Sequence, residues 1–274
     1  MKYIAITNQP HNAKKYVDCG VDWVMVDLEK IGKQTRQKDL NTLISNHTIS
    51  DVVKVREQIE DKNLLVRINP LGEWTKKEID DVINAGAGMV MLPFFKTVSE
   101  VKKFIELLRG RAKAFLLLET MEGVENVSAI ASLQGIDFIH VGLNDLHIER
   151  KTRFMFEFLS DGYLDDLAKI FKFHGISYGF GGISRVGNLK PPAERLIAEH
   201  IRLGSDAVIL SRSFINQDKY TSDKIFFADF KLEFMKLKHT EMAILNWSRE
   251  TFISNKNIVF KQIQEVADVS GEKN

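Results

Sequence analysis

The chain has 274 residues, 44% hydrophobic and 27% charged, a composition that suits one large folded core or two small ones. Lysine and arginine number 38 against 37 acidic residues, so no basic field points to nucleic acid and a small-molecule partner is the default. No run approaches the roughly 18 apolar residues of a membrane span. The first residues lack a secretory apolar core and the single Cys19 has no disulfide partner, which together predict a cytoplasmic protein.

Apolar, partly β-branched runs recur in chain order at 3–7, 23–29, 64–68, 89–93, 114–119, 138–142, 177–182 and 207–211, and each reads as a strand. Between them lie segments of helical period, such as Val101, Phe104, Ile105 and Leu108, or Leu164, Leu167, Ala168 and Phe171. Gly20, Gly86, Gly110, Gly175 and Gly204 stand where helix C-caps favour glycine. Eight alternations, with no Gly-x-Gly-x-x-Gly after the first strand, predict a (β/α)8 TIM barrel over a doubly wound dinucleotide-binding sheet. The barrel is expected over 1–223. Residues 224–274 then form a C-terminal helical region, with Phe227, Phe230, Phe234 and Leu237 as an apolar stripe. That region either packs on the barrel's own flank or reaches a neighbouring subunit of a homo-oligomer.

In a barrel the functional face is built at the strand C-termini, which makes Asp27, Glu29, Arg67, Glu119 and Asp145 candidates by position. Arg67, Pro93, Glu119 and Asp145 are each 26 residues apart, as successive βα units would space them. Glu119 and Asp145 follow consecutive apolar runs, where two acids can hold a hard divalent cation and leave the rest of its shell open to substrate oxygens. The plainer alternatives are a salt bridge from Glu119 to Arg67 and a turn cap at Asp145. The Arg67 guanidinium suits a carboxylate or a developing enolate oxygen, or else is a structural partner of Asp27 or Glu29. Gly142, Leu143 and Asn144 can present backbone N–H groups to an anionic substrate group as a turn nest. GFGGISRVGN (179–188), with Arg185, lies where many barrels bind phosphate, and Arg212 follows the eighth run. The loop with Lys33, Arg36 and Lys38 is long enough to grip substrate, or is simply a solvated charge run. The histidines show no zinc spacing. His140 reads as a core residue and His147 as a minor candidate beside Asp145. There is no Gly-x-Ser-x-Gly elbow, and Lys30 and Lys96 are candidate Schiff-base lysines.

Taken together, GVDWVMVDLEK, VRINPLG, AGAGMVMLPFFKTVSEV, LLLETMEGVENV and DFIHVGLNDL resemble the metal-dependent HpcH/HpaI aldolase and citrate lyase beta-chain family across 20–146. The resemblance implies a phosphoenolpyruvate-binding-type barrel using Mg2+ or Mn2+, with Glu119 and Asp145 as metal ligands and Arg67 steadying an enolate oxygen. It further implies a C-terminal arm exchanged between subunits. The implied activity is carbon–carbon cleavage or formation on a 2-oxo acid through a pyruvate-type enolate. The alternatives are a citrate-lyase-like lyase acting on an acyl-CoA thioester and a non-catalytic keto-acid-binding barrel. The chain departs from the family pattern at Lys30, where the aldolase branch carries a histidine, and at Phe94, where the citrate-lyase-like branch commonly carries a lysine. Proton transfer is accordingly expected from a water held by Asp27 or Glu29, or from Lys30 with a pKa lowered by nearby cations.

Overall fold

Eight parallel strands follow one another in sequence order around a closed barrel. The computed structural model describes residues 1–31 and 46–271, so the loop carrying Lys33, Arg36 and Lys38 lies outside the described residues. The fold class expected from the alternation of runs is therefore the one observed. The chain divides into two compact units, Lys2–Val141 and a second from Gly142 onward together with Met1.

The first unit carries β1 (Lys2–Ile6), α1 (Pro10–Asp18), β2 (Trp23–Asp27), α2 (Ile49–Arg56), β3 (Leu64–Arg67) and α3 (Thr75–Asn84). It continues through β4 (Met89–Leu92), α4 (Val98–Leu108), β5 (Lys113–Leu118), two short helices, α5 (Met121–Glu125) and α6 (Val127–Ala131), and β6 (Phe138–Val141). Strands β4 and β6 are buried at every position, as parallel strands covered on both faces should be. Near the N-terminal ends of β2, β5 and β6, Phe115 and Phe138 stack at 5.0 Å while Trp23 meets them edge-on at 5.2 and 5.5 Å. These rings fill the end remote from the strand C-termini. Helix α4 starts on a capping box between Thr97 and Glu100 and buries Val101, Phe104 and Leu108, the expected stripe.

The second unit comprises α7 (Leu143–Arg150), α8 (Glu157–Ser160), α9 (Tyr163–His174), β7 (Tyr178–Ile183), α10 (Ala193–Leu203), β8 (Ala207–Leu210), α11 (Asp223–Ile244) and α12 (Arg249–Gly271). Gly175 and Gly204 close α9 and α10 in the left-handed region at φ 68° and 76°, where a Cβ would be strained. Helix α11 buries Phe227, Phe230, Phe234 and Leu237 as the stripe predicts, and packs on α10. Helix α12 buries every fourth residue, Asn255, Val259, Ile263 and Ala267, and packs on α8 and α10 of its own chain. A charged network sits under it: Arg202 bonds Glu199 and Asp165, Lys256 reaches Asp165 at 3.1 Å, and Asn255 joins Arg195 to Glu199. No helix among the described residues is long and apolar enough to cross a membrane.

The 26-residue spacing is not the structural period. Strands β3 to β6 begin at residues 64, 89, 113 and 138, which are 24 or 25 apart. A 26-residue spacing therefore drifts along the element. Arg67 ends β3, Glu119 is one residue past β5, and Asp145 is four residues past β6, inside the first turn of α7.

Candidate active site

Four of the expected residues meet in the first unit. Asp27 and Arg67 are paired in register as the last residues of β2 and β3. The guanidinium grips Asp27 through both forks, Nε to Oδ1 at 2.8 Å and Nη2 to Oδ2 at 2.7 Å, while Nη1 stands 3.3 Å from Glu29 Oε2. The Glu29 backbone N–H also donates to Asp27 Oδ1 at 3.2 Å. Burial works against the Arg67 charge, but Asp27 first, then Glu29 and Glu119, outweigh it and raise its pKa above the ordinary arginine value. The fork assigned to a substrate oxygen is thus directed at Asp27, the structural alternative open at the sequence level.

Glu119 is 2% exposed and accepts the backbone N–H of Phe94 at 3.3 Å. Phe94 adopts φ 50°, a left-handed conformation that a bulky residue rarely occupies and that surrounding structure must impose. The imposing contacts are visible. Thr120 Oγ1 donates to Phe95 O at 2.8 Å, Asn126 Nδ2 donates to Lys96 O at 3.0 Å, and Thr120 caps α5 by accepting from Gly123 N at 3.0 Å. A Cβ at Gly123 would stand 2.7 Å from Thr120 Oγ1 and 2.9 Å from Phe95 O, so only glycine lets α5 approach this closely.

Lys30 does not join the cluster. Its backbone N–H and that of Ile31 donate to Asn69 Oδ1 at 2.8 and 2.9 Å, and its exposed side chain lines a separate cleft of about 360 Å³ with His47, Trp74 and Lys77. Asn69 in turn holds Glu78 through Nδ2 at 2.7 Å. Burial raises the Glu78 pKa, with the Asn69 hydrogen bonds opposing. Lys96 is exposed, with its Nζ 3.8 Å from Glu122.

In the second unit, Gly142, Leu143 and Asn144 open a helix rather than a turn, and a helix start also turns its first backbone N–H groups outward. Gly142 is the N-cap of α7, Leu143 is buried beneath Gly181, and Asn144 is exposed. Asp145 is half-buried at the third position of α7, where a carboxylate complements the helix N-terminus. His147 pairs with Thr152 at 2.8 Å, and burial lowers its pKa. Arg185 is committed to Asp229 at 2.6 Å and to Phe214 O at 3.2 Å, so its guanidinium ties β7's following loop to α11 rather than standing open for phosphate. His140 is buried in β6, as expected of a core histidine. Sequence reasoning missed Asn69, Phe94's backbone role and His47, whose ring meets the Asp27 backbone. Among the described residues no group of three or more His, Cys, Asp and Glu side chains is arranged as a metal cluster.

The family model for HpcH/HpaI aldolase/citrate lyase matches residues 3–156, more than half of the chain. The chain belongs to that family of aldolases and lyases. No curated protein matches it in sequence. Among solved structures it is similar in fold to the citrate synthase SbnG, with 16% identity, TM-score 0.61, and 80% of this chain covering 89% of that one. A family protein from Burkholderia cenocepacia J2315 is similar at 15% identity and TM-score 0.61, with 80% and 91% of the two chains covered. CitE from Mycobacterium tuberculosis, solved with magnesium and acetate, is similar at 16% identity and TM-score 0.54, with 84% and 96% covered.

Proposed function

We propose that this protein is a divalent-metal-dependent carbon–carbon lyase or aldolase acting on a 2-oxo acid through a pyruvate-type enolate, with Glu119 and Asp145 as the metal ligands. The observation that carries this reading is a cluster of buried carboxylates at the strand ends. Asp27, Glu29 and Glu119 are 3%, 0% and 2% exposed, and the Arg67 guanidinium lies among them. Buried carboxylates are costly unless matched by positive charge. Carboxylates gathered at the ends of β2 and β5 are the donor chemistry that a hard divalent ion takes, and the fold relative CitE was solved with magnesium.

When bound, such an ion would polarise the oxygens of a 2-oxo acid. The chain's own residues do the rest. Arg67, fixed by Asp27, keeps a positive charge where enolate charge would develop. The Phe94 N–H holds the Glu119 carboxylate in one orientation. Asp27 or Glu29 would hold a water for proton transfer, and the exposed position of Lys30 favours them over the lysine.

The test is Mg2+ and Mn2+ titration calorimetry together with solvent exchange of pyruvate methyl protons followed by NMR. Glu119→Gln and Asp145→Asn should each lose most divalent affinity and most exchange while remaining folded. Unchanged metal affinity in both variants sinks the ligand assignment. Intact metal and pyruvate binding without exchange or aldehyde release would instead identify a non-catalytic binder.

A further inference from the structure

We infer that His47 is a positioning residue for the Asp27–Arg67 pair, a role that rests on the reading that this pair serves the reaction. The backbone N–H of Asp27 donates to His47 Nδ1 at 3.0 Å. The need for such a partner comes from the barrel's own ladder. Thr7 N bonds Met25 O at 3.1 Å, so the backbone groups of residue 25 face β1, and those of Asp27, two residues on, face the same way. By that level β1 has ended at Ile6. The last donor of β2 has outrun its neighbouring strand, and an imidazole supplies the acceptor.

The bond also sets the tautomer. An amide N–H can only donate, so Nδ1 carries a lone pair and the ring proton sits on Nε2. The ring is held in place by the residue that follows it. Thr48 is the N-cap of α2, with its N–H on Asp51 Oδ2 at 2.8 Å and its Oγ1 accepting from Asp51 N at 3.3 Å, and Asn8 Nδ2 reaches the same carboxylate at 3.4 Å. A capped helix start, the ring, the Asp27 backbone, the Asp27 carboxylate and the Arg67 fork thus form one chain of contacts. Loosening the ring lets the end of β2 move, and with it both hydrogen bonds that aim Arg67.

The experiment uses the full chain with Mg2+. Asn at position 47 can place its side-chain oxygen where Nδ1 stands, whereas Leu cannot accept a hydrogen bond. His47→Leu should lower kcat for pyruvate proton exchange by about tenfold, the equivalent of one net hydrogen bond, with little change in KM. His47→Asn should stay within about twofold of wild type, the scatter expected when the hydrogen bond is kept. Long-range 1H–15N spectra, assigned by the signal lost in His47→Asn, should show an unprotonated Nδ1 and a protonated Nε2. Wild-type kcat in His47→Leu, equal impairment in both variants, or a protonated Nδ1 overturns the inference. Wild-type protein that exchanges no pyruvate protons yet shows the acceptor Nδ1 overturns the reaction reading and leaves the His47–Asp27 contact standing.

Discussion

Replacing Arg67 with methionine removes a cation from a cluster in which the Asp27 side chain is 4% exposed and that of Glu29 is 0% exposed. Methionine keeps much of the length and apolar stem, so the change is chiefly one of charge and of two hydrogen bonds at 2.8 and 2.7 Å. Breaking a buried pair by removing one partner costs about 3–5 kcal/mol. Arg67→Met should therefore lower the folding constant by roughly 10²–10⁴. Equilibrium urea unfolding, followed by both circular dichroism and tryptophan fluorescence, measures this where the two transitions coincide. The double variant Arg67→Met/Asp27→Asn should recover part of the loss, because the stranded charge is then gone. The pH dependence has a definite sign. In Arg67→Met the stranded Asp27 carboxylate is protonated more readily in the folded than in the unfolded chain. The deficit is then largest above the carboxylate range and shrinks as pH falls through that raised pKa. A variant within about 0.5 kcal/mol of wild type, or a deficit that does not shrink in acid, refutes the account of Arg67 as the counter-charge of this cluster.

Gly123→Ala forces a Cβ to within 2.7 Å of Thr120 Oγ1 and 2.9 Å of Phe95 O, so thermal unfolding should report a loss of roughly 1–3 kcal/mol, and divalent affinity should weaken as Glu119 shifts. Glu78→Gln removes a carboxylate whose pKa burial has raised. Wild type loses stability as pH rises through that raised value, so the variant's relative stability should grow between acid and neutral pH; a pH-independent difference argues against it. Asn255→Ala strips the bridge between Arg195 and Glu199, and should cost roughly 1–3 kcal/mol, with amide exchange accelerating in α12 before α9 or α10.

The eight strands were legible because each is a short apolar run bounded by polar, glycine or proline residues, and the buried faces of α4, α9 and α11 because their apolar residues recur at helical spacing. The Asp27, Glu29, Arg67 and Glu119 cluster was legible by position alone, since a barrel brings its strand ends together. What escaped was everything that depends on backbone geometry. Counting residues made Asp145 and Glu119 look equivalent, whereas one lies in a helix turn and the other beside a strand end. Neither the left-handed Phe94 nor the N–H of Asp27 has a signature in residue type, and both become visible only when the ladder shows which donors face a neighbour that has ended. Asn69 sits in VRINP as an unremarkable polar residue, yet its side chain ties the segment after β2 to α3.

The charged layer beneath α12 has a consequence for how this protein can change over evolutionary time. Asp165, Arg195, Glu199, Arg202, Asn255 and Lys256 come from three helices and satisfy one another around the buried Glu199 and Asn255, the other four being half-buried. Replacing the whole set with well-packed apolar residues can be neutral or favourable, while replacing any single member strands its partner. Every one-step path out of the present arrangement therefore begins downhill in stability, although a distant endpoint is acceptable. A lineage carrying this layer should keep it as a block or lose it as a block, so substitutions at these six positions are expected to arrive together, and a chimera exchanging α12 alone should fold worse than one exchanging α9, α10 and α12 as a set.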